Sequence, residues 1–281
     1  MIGIIGGTGL YNIEGLDILE KLDVATPFGR PSAPLIKGEI KNTELIFLPR
    51  HGETHQFLPS EVNYRANIYA LKSVGVTQVI GVSAVGSLRK EIAPGNFAIP
   101  SQYFDHTRGK RESTFFGNGL AAHVSTAEPT CPALTQGLKQ SCHDLGFVVH
   151  TDKSYACVEG PRLGTKVESH FLRDGAKCDL VGMTNVPEVF LAREAQLCYA
   201  TLTIATDYDC WLDDPNEHVS VAMVFQRFGE SLERAKTVLK STVTQPRNEN
   251  CSCRNSLKFA LITPEDSLDE NQTALLSVLK K

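Results

Sequence analysis

Apolar runs of strand length alternate with segments whose apolar residues recur at helical spacing along most of this chain. The strand-like runs are residues 1–5, 35–39, 44–48, 78–83, 96–100, 147–150, 155–159, 179–181 and 198–206. The predicted helices are residues 63–73, 132–145, 165–173, 186–195 and 219–242. This alternation favours an α/β fold, in which a sheet is covered by helices.

Two stretches lack this alternation. Residues 105–129 hold aromatic, glycine and charged residues without clean periodicity, which predicts a long ordered excursion with a functional use. A polar segment at 245–254 precedes a tail that contains an apolar run at 257–262 and a short helix. Ser267 and Glu270 have the spacing of a capping box at the start of that helix. Its apolar residues need a partner surface in the same subunit or in a neighbour.

Composition narrows the class of protein. The chain has 281 residues, 42% of them hydrophobic, and a net charge of -4. The lack of a basic run argues against nucleic-acid binding, which needs a concentrated positive surface. No apolar stretch approaches the roughly 20 residues that span a bilayer, and the N-terminus lacks the basic segment of a signal peptide. Because the cysteines also lack the spacing of a secreted disulfide framework, we expect a cytoplasmic enzyme or small-molecule binder without membrane contact.

A glycine loop, Gly6-Gly7-Thr8-Gly9, follows the first predicted strand. Glycines let backbone amides approach an anion, and Thr8 adds a hydroxyl donor, so the loop is typical of a phosphate site. The G-x-G-x-x-G spacing of dinucleotide-binding loops is not met, because Asn12 occupies the last position. A tight turn without a ligand is the open alternative.

A second loop, residues 50–55, follows the predicted strand 44–48 and contains Arg50, His51 and His55. The planar guanidinium of Arg50 suits phosphate oxygens, and His51 can donate a hydrogen bond or act as a nucleophile. Taken alone, Arg-His-Gly-Glu-Thr matches the signature of histidine phosphatases, although there the motif follows the first strand of the chain. A pair of hydrogen-bonded structural histidines is the other alternative.

Two more strand ends carry candidate residues. Ser83 and Ala84 precede a glycine at the end of a predicted strand, which is a common position for ligand contact. Thr184 precedes a predicted helix and can donate to an anion near its N-terminus. An ordinary turn at Ser83 and a core role for Met183 are the alternatives.

Asp207 and Asp209 follow the last apolar strand at alternate positions. If strand geometry continues, both side chains lie on one side, and their repulsion makes one carboxyl easily protonated. A glycosidase pair is conceivable, but its carboxylates need not be neighbours in sequence. A metal site is another alternative, but no His or Cys residues with the spacing of metal ligands stand nearby in the sequence. A solvated loop is the remaining alternative.

These five loops occur together and in one order, and the order is informative. Four further segments accompany them: Thr26-Pro27-Phe28-Gly29, Pro59-Ser60-Glu61-Val62-Asn63-Tyr64, Glu159-Gly160-Pro161-Arg162 and Pro187-Glu188-Val189. Over roughly residues 2–243 the chain resembles the trimeric purine nucleoside phosphorylase family, and most closely its 5'-methylthioadenosine phosphorylases. The resemblance implies a single-domain phosphorylase/hydrolase-like α/β fold with a mixed twisted central sheet flanked by helices. It also implies a nucleoside phosphorylase domain at 1–243 and a C-terminal extension at 244–281 that packs on the same domain or on a neighbouring subunit.

The resemblance assigns roles to individual residues. Phosphate is expected at Thr8, Arg50, His51, Ser83, Ala84 and Thr184. Serine at position 83 keeps the hydroxyl of the threonine that is frequent in the family. The nucleoside is expected at Met183 beneath the ribose, His55 towards its 5' side, Asp207 and Asp209 at the base, and His123 lent by a neighbouring subunit of a homotrimer. Gly164 and Val221 are expected to line the pocket and to tune substrate choice.

The chemistry of phosphorolysis agrees with these residue types. Its transition state is positive on the ribose and increasingly negative on the purine. We expect a protonated Asp207 to supply a proton to purine N7, because an apolar pocket and Asp209 would both raise the pKa of this carboxyl. A carboxylate also accepts from the 6-amino group of adenine, whereas family members that act on 6-oxopurines carry Asn in place of the aspartate.

The expected reaction is therefore phosphorolysis of S-methyl-5'-thioadenosine to adenine and 5-methylthioribose 1-phosphate. Phosphate is a co-substrate, and the resemblance implies no cofactor and no metal. The alternatives are a purine nucleoside or methylthioinosine phosphorylase that prefers 6-oxopurines, and a non-enzymatic nucleotide-binding module.

The chain departs from the family pattern at two places. Leu163 stands where the methylthioadenosine enzymes often have phenylalanine. The tail holds Cys251-Ser252-Cys253, and some thermophilic members carry such a pair as a strained redox-active disulfide. Two reduced thiols in a polar loop are the alternative.

Overall fold

One mixed sheet of nine strands organises the described part of the chain. The computed structural model describes residues 1–7, 9, 10, 12–212, 220–246 and 250–281, without the side chains of residues 221 and 225. The strands are β1 (Ile2–Gly6), β2 (Asp17–Leu22), β3 (Leu35–Ile40), β4 (Thr43–Pro49), β5 (Gln78–Ser87), β6 (Phe97–His106), β7 (Val149–Val158), β8 (Leu180–Gly182) and β9 (Cys198–Asp207). Their order in the sheet is β2-β3-β4-β1-β5-β8-β7-β6-β9.

The sheet closes on itself at one end, because β9 pairs with β5 as well as with β6. Strands β5, β8, β7, β6 and β9 thus form a closed barrel, from which β1, β4, β3 and β2 extend. Strand β1 is parallel to β4 and β5, and β5 is parallel to β9. The carboxyl ends of these four strands therefore lie at one edge of the sheet. This arrangement confirms the predicted mixed α/β sheet.

Burial explains which strands the sequence revealed. Every residue of β1 and β9 is buried, as expected of strands covered on both faces, and such strands read as continuous apolar runs. Strand β2 was not predicted, because its residues are almost all exposed and give no core-facing alternation. It is held instead by antiparallel pairing with β3.

The helices are α1 (Tyr64–Ser73), α2 (Pro132–Asp144), α3 (Lys166–His170), α4 (Glu188–Glu194), α5 (Val221–Val243) and α6 (Glu270–Leu279). Local chemistry fixes several of their starts. The Asn63 side chain caps α1 by accepting from the Ala66 amide, and Pro132 occupies the first turn of α2. All five helices predicted before the tail are present, although the predicted start of the fifth, residue 219, lies outside the described residues.

Several predicted boundaries were wrong. The runs 147–150 and 155–159 form one strand, β7, because the polar residues between them still pair with β6. Residues 84–87 belong to β5 rather than to a loop, since Gly86 and Ser87 pair with β8. The predicted helix 165–173 ends as α-helix at His170 and continues as a π-helical turn, Phe171–Gly175. The capping box before α6 is formed by Asp269 and Gln272 rather than by the predicted Ser267 and Glu270.

The C-terminal extension packs on its own chain. Leu276 and Leu279 of α6 are buried in the same core cluster as Ile68 and Leu71 of α1. The backbone amide of His123 donates to the Ala260 carbonyl at 2.8 Å, so the tail also pairs with the predicted excursion, whose first two residues, 105 and 106, belong to β6. In the described part of the chain, no helix is long and apolar enough to cross a membrane.

Candidate active site

The parallel strands β1 and β4 bring two of the predicted loops together. The amide of Arg50, directly after β4, donates to the Gly6 carbonyl at the end of β1 at 2.8 Å. The glycine loop and the arginine loop thus share one edge of the sheet. Thr8, the predicted hydroxyl donor of this loop, lies outside the described residues.

The Arg50 side chain is 1% exposed and forms a bidentate ion pair with Glu188. Its Nε and Nη2 donate to the two Glu188 carboxylate oxygens at 2.7 and 2.8 Å. Nη1 donates to the Val82 carbonyl at 2.9 Å. The predicted fork towards phosphate is therefore occupied by a carboxylate, and a phosphate contact by Arg50 would use a remaining Nη1 hydrogen. The Glu188 carboxylate raises the pKa of Arg50 despite complete burial, which keeps the guanidinium charged.

Glu188 continues into a buried polar network. Its Oε1 accepts from the Tyr199 hydroxyl at 2.8 Å, and that hydroxyl is contacted by Asn185 at 3.3 Å. Asn185 is fully buried, and its Oδ1 accepts from the Ser83 hydroxyl at 3.0 Å and the Thr184 hydroxyl at 3.5 Å. The network therefore orients the hydroxyls of Ser83 and Thr184, which the sequence predicted to bind phosphate. Ala84 is the next residue of β5.

His51 and His55 stack on each other, with ring centroids 4.5 Å apart. Nδ1 of His51 lies 2.9 Å from the Phe57 carbonyl and is assigned as the protonated nitrogen, because a carbonyl can only accept. Burial and the Arg50 charge lower the pKa of His51 to about 4, so the ring is neutral at pH 7. Nε2 is then an acceptor that suits a hydroxyl of partly protonated phosphate. His55 is exposed at the mouth of this loop.

Asp207 and Asp209 are both buried, at 2% and 7% exposure, which excludes the solvated-loop alternative. The condition for both side chains to lie on one side, that strand geometry continues through Asp209, is not met. Strand β9 ends at Asp207, and Asp209 has a φ of 52° in the left-handed region. The chain folds back there, and the Asp209 amide donates to Oδ1 of Asp207 at 2.7 Å.

The environment of Asp207 favours a protonated carboxyl. Desolvation by burial is the main cause that raises its pKa to about 6, with a smaller contribution from the Asp209 charge, against hydrogen bonds from Thr206 and the Asp209 amide. Desolvation also raises the pKa of Asp209. A buried acid that can hold a proton near neutral pH is suited to general acid catalysis.

Gly86 makes room for this pair. A Cβ at Gly86 would lie 3.0 Å from Oδ1 of Asp207 and 3.2 Å from Cβ of Asp209. A third close neighbour is Val181 Cγ1 at 3.0 Å. The absence of a side chain therefore lets the carboxyl sit directly against β5.

Arg111, a residue of the excursion, hydrogen-bonds the backbone of Met183. The Arg111 side chain is 2% exposed. Its guanidinium donates to the Met183 carbonyl at 2.8 Å and to the Val186 carbonyl at 2.6 Å, and pairs with Glu159 at 3.1 Å. Gly160 lies against the Met183 sulfur, where a Cβ would clash at 2.5 Å. Arg111 thus fixes the ends of two strands, β7 and β8, beside the candidate base pocket.

The remaining predicted residues are not all brought to this centre. The Gly164 carbonyl accepts from the Cys210 thiol at 3.4 Å, which places its loop next to Asp209. His123 is exposed on the excursion, and the contacts described for the chain link it to the tail rather than to Asp207 or Arg50. The side chain of Val221 lies outside the described part of the structure.

Three organising residues of the site, Arg111, Asn185 and Glu188, received no role from the sequence. Glu188 stands in the segment Pro187-Glu188-Val189 and Asn185 directly follows Thr184, so their hydrogen-bonding side chains were the available signal. Their partners are remote: Glu188 is 138 positions from Arg50, and Asn185 is 102 positions from Ser83. Only the sheet topology brings them together.

The chain belongs to the phosphorylase superfamily, whose family pattern matches residues 1–244. An S-methyl-5'-thioadenosine phosphorylase of Geobacter sulfurreducens is 44% identical over 269 residues, which cover 95% of this chain and 93% of the relative. The crystal structure of a methylthioadenosine phosphorylase from an Antarctic soil metagenomic library matches with a TM-score of 0.92 at 40% identity, covering 99% of this chain and 98% of that chain. The methylthioadenosine phosphorylase of Schistosoma mansoni in complex with adenine matches with a TM-score of 0.87 at 35% identity, covering 95% and 99%.

These comparisons confirm the predicted family and its fold. They also decide between the two interpretations of residues 50–54 in favour of a nucleoside phosphorylase over a histidine phosphatase.

Proposed function

We propose that this enzyme catalyses the phosphorolysis of S-methyl-5'-thioadenosine to adenine and 5-methylthioribose 1-phosphate. The observation that carries the proposal is the buried pair of Asp207 and Asp209 at the edge of the sheet where the anion-binding hydroxyls also lie. The similarity to methylthioadenosine phosphorylases over nearly the whole chain supports the same substrate.

Phosphate is proposed to bind among Ser83, Thr184, His51 and the glycine loop, with Thr8 and the Ala84 backbone as further donors. The hydroxyls of Ser83 and Thr184 can rotate from Asn185 to the phosphate without moving their backbone. The Glu188 carboxylate neutralises Arg50, so the net positive charge next to the phosphate is small. The phosphate therefore keeps its negative charge to face the ribosyl cation in the transition state.

Bond exchange then takes place at the anomeric carbon. A phosphate oxygen forms a bond to C1' while the bond from C1' to purine N9 breaks, and the electron pair moves into the purine ring. Protonated Asp207 gives its proton to N7, so adenine leaves as a neutral base. The pKa of about 6 places this acid in the range where it can both hold and release a proton at physiological pH.

Base choice is proposed to rest on acceptor groups. The 6-amino group of adenine is a donor and fits a carboxylate, whereas the 6-oxo group of hypoxanthine needs a donor in its place. Met183 is proposed to lie under the ribose and His55 near its 5' substituent. Gly164 and Val221 are proposed to shape the pocket.

A homotrimer with shared sites is part of the proposal. His123 is exposed in the single chain, and an apolar surface formed by Phe104, Val167 and Phe171 is exposed beside α3. Such surfaces are typical of subunit contacts. A cytoplasmic location is also proposed, and it agrees with eight cysteines that are all free thiols.

A panel of nucleosides tests the proposal. Release of base from S-methyl-5'-thioadenosine, adenosine, inosine and methylthioinosine is measured with and without phosphate. We expect phosphate-dependent turnover and the highest kcat/KM for the adenine nucleosides. A higher kcat/KM for inosine or methylthioinosine would contradict the base-pocket argument, and tight nucleoside binding without turnover would indicate a binding module.

A further inference from the structure

Four cysteines from three distant segments of the chain meet in the core: Cys131, Cys198, Cys251 and Cys253. Their sulfur atoms all lie within 4.8 Å of one another, and those of Cys131 and Cys251 are 3.6 Å apart. All four side chains are buried and all are free thiols. The tail pair thus lies in the core and not in a polar loop.

Four converging thiols have the donor set and the spacing of a tetrahedral metal site. Thiolates bind zinc at about 2.3 Å, which places the four sulfurs of a tetrahedral site about 3.8 Å apart. A soft, all-sulfur, closed donor set selects zinc for a structural role. We propose that Cys131, Cys198, Cys251 and Cys253 bind one structural zinc ion. The sequence predicted no metal, because the four ligands come from three distant segments with none of the spacings typical of zinc motifs.

Two of the ligands are fixed by secondary structure. Cys131 caps α2, where its sulfur accepts from the Leu134 amide at 3.5 Å and its own amide donates to the Tyr199 carbonyl at 2.8 Å. Cys198 begins β9, and its amide donates to the Thr77 carbonyl at 3.0 Å. An amide that donates to a ligating sulfur is the kind of outer contact that orients metal ligands.

A buried cation lies beside the cluster. Lys72 of α1 is 1% exposed and lies near Cys198. Zinc with four thiolates carries a net charge of -2, so an ammonium group in the same apolar surroundings reduces the cost of burying it. Arg254, next to Cys253, is a second cation near this group.

The site would fasten the tail to the catalytic domain. Cys131 and Cys198 belong to the body of the sheet and its helix, while Cys251 and Cys253 open the tail that continues to α6. The same tail pairs through Ala260 with His123. Because the four cysteines include no residue assigned to phosphate or nucleoside, the site is independent of the proposed reaction.

Metal analysis of the full chain tests the proposal. The protein is expressed with added zinc, purified with reductant and without chelator, and measured by mass spectrometry for metal content and intact mass. We expect one zinc per chain and, after denaturation, eight free thiols. Zinc well below one per chain, another metal in its place, or a mass reduced by two hydrogens for each disulfide would overturn the proposal.

Variants locate the ion. Cys131→Ser and Cys253→Ser should each lose most of the zinc, whereas Cys142→Ser, which removes a buried thiol of the same helix outside the cluster, should retain it. Retention of full zinc by both cluster variants would contradict the site. If either variant fails to fold, cobalt exchanged into the wild-type chain should show the absorption of a tetrahedral thiolate complex, and an octahedral spectrum would count against it.

Discussion

The Asp209 amide donates a hydrogen bond of 2.7 Å to Oδ1 of Asp207, across a turn in which Asp209 has a φ of 52°. This contact aligns the Asp207 carboxyl through the backbone of Asp209. Both residues are buried. An aspartate in the left-handed region is tolerated more easily than most residues, but it still indicates a conformation that its surroundings impose. The proposed acid is thus positioned by main-chain geometry as well as by its own strand.

Replacing Asp207 by Asn should remove the acid while keeping the shape of the side chain. We expect kcat/KM for S-methyl-5'-thioadenosine to fall by about 10²–10⁴, the range for loss of a general acid. We also expect the relative preference to shift towards 6-oxopurine nucleosides, because the amide can donate. Steady-state kinetics with both nucleosides measures this, with Asp152→Asn on the surface as the control. An unchanged preference would count against contact between Asp207 and the base.

The raised pKa of Asp207 also predicts how stability depends on pH. A carboxyl whose pKa is about 6 when folded and 3.8 when unfolded binds protons more tightly in the native state. At a pH below the pKa of the unfolded state, burial of this carboxyl therefore costs no stability. As the pH rises, the free energy of unfolding falls until the pH passes the pKa of the folded state. The full cost is about 3 kcal/mol, since each pKa unit corresponds to about 1.4 kcal/mol.

Thermal unfolding at pH 4 and pH 7 checks this prediction. Asp207→Asn lacks the titrating group. The difference in stability between the variant and wild type should therefore favour the variant more at pH 7 than at pH 4. The same difference in stability at both pH values would mean that the pKa of Asp207 is not raised in the folded state.

The bidentate pair of Arg50 and Glu188 should be essential to the fold of the site. Arg50→Met would leave a carboxylate buried without its partner, which costs about 3–5 kcal/mol in unfolding free energy. The exposed pair of Lys21 and Glu53 provides the control, and Glu53→Gln should change stability by less than about 1 kcal/mol. Denaturant titration measures both. Equal small effects would show that the buried pair does not hold the network together.

Gly86→Ala should disturb the carboxyl pair sterically. The added Cβ would approach Oδ1 of Asp207 and Val181 Cγ1 at 3.0 Å, so we expect a loss of about 1–3 kcal/mol in stability and a fall in kcat/KM. Gly229→Ala in α5 is the matched control, because a Cβ there meets nothing within 4 Å and favours the helix. Kinetics and thermal unfolding of the two variants distinguish the steric effect at position 86 from the effect of replacing any glycine by alanine. Full activity in Gly86→Ala would show that this approach is not critical.

Ser83 offers a test of the phosphate site alone. Ser83→Ala should raise the KM for phosphate about 10–100-fold, the value of one hydrogen bond to a charged group, with little change in the KM for nucleoside. Ser83→Thr keeps the hydroxyl and should restore the phosphate KM. A rise in the nucleoside KM instead would move Ser83 to the other half of the site.

The chain order of strands and loops predicted the class of fold, and it singled out several residues that the structure brings to one edge of the sheet. Arg50 follows β4 and Asp207 ends β9, and the carboxyl ends of these strands lie at one edge of the sheet. Ser83 instead lies within β5, and Thr184 follows β8, which is antiparallel to β5. The closure of the barrel through β5 and β9 could not be predicted, because it depends on pairing 120 residues apart along the chain. The four-cysteine cluster was missed for the same reason.

The roles of the polar residues were harder to predict than their positions. Arg50 was expected to present its fork to phosphate, yet Glu188 occupies that fork, and periodicity contains no information on which buried acid meets which base. Asp209 would share a face with Asp207 only if strand geometry continued, but the strand ends at Asp207 and Asp209 is left-handed. Such side-chain partners depend on packing between segments that the local pattern does not link.

The proposed reaction transfers the methylthioribosyl group of S-methyl-5'-thioadenosine to inorganic phosphate. Phosphorus NMR of the reaction, with adenine quantified in the same sample, measures this transfer. We expect one equivalent of a sugar 1-phosphate for each adenine released, and no adenine without phosphate. Release of adenine with free methylthioribose, or no dependence on phosphate, would contradict the proposed reaction.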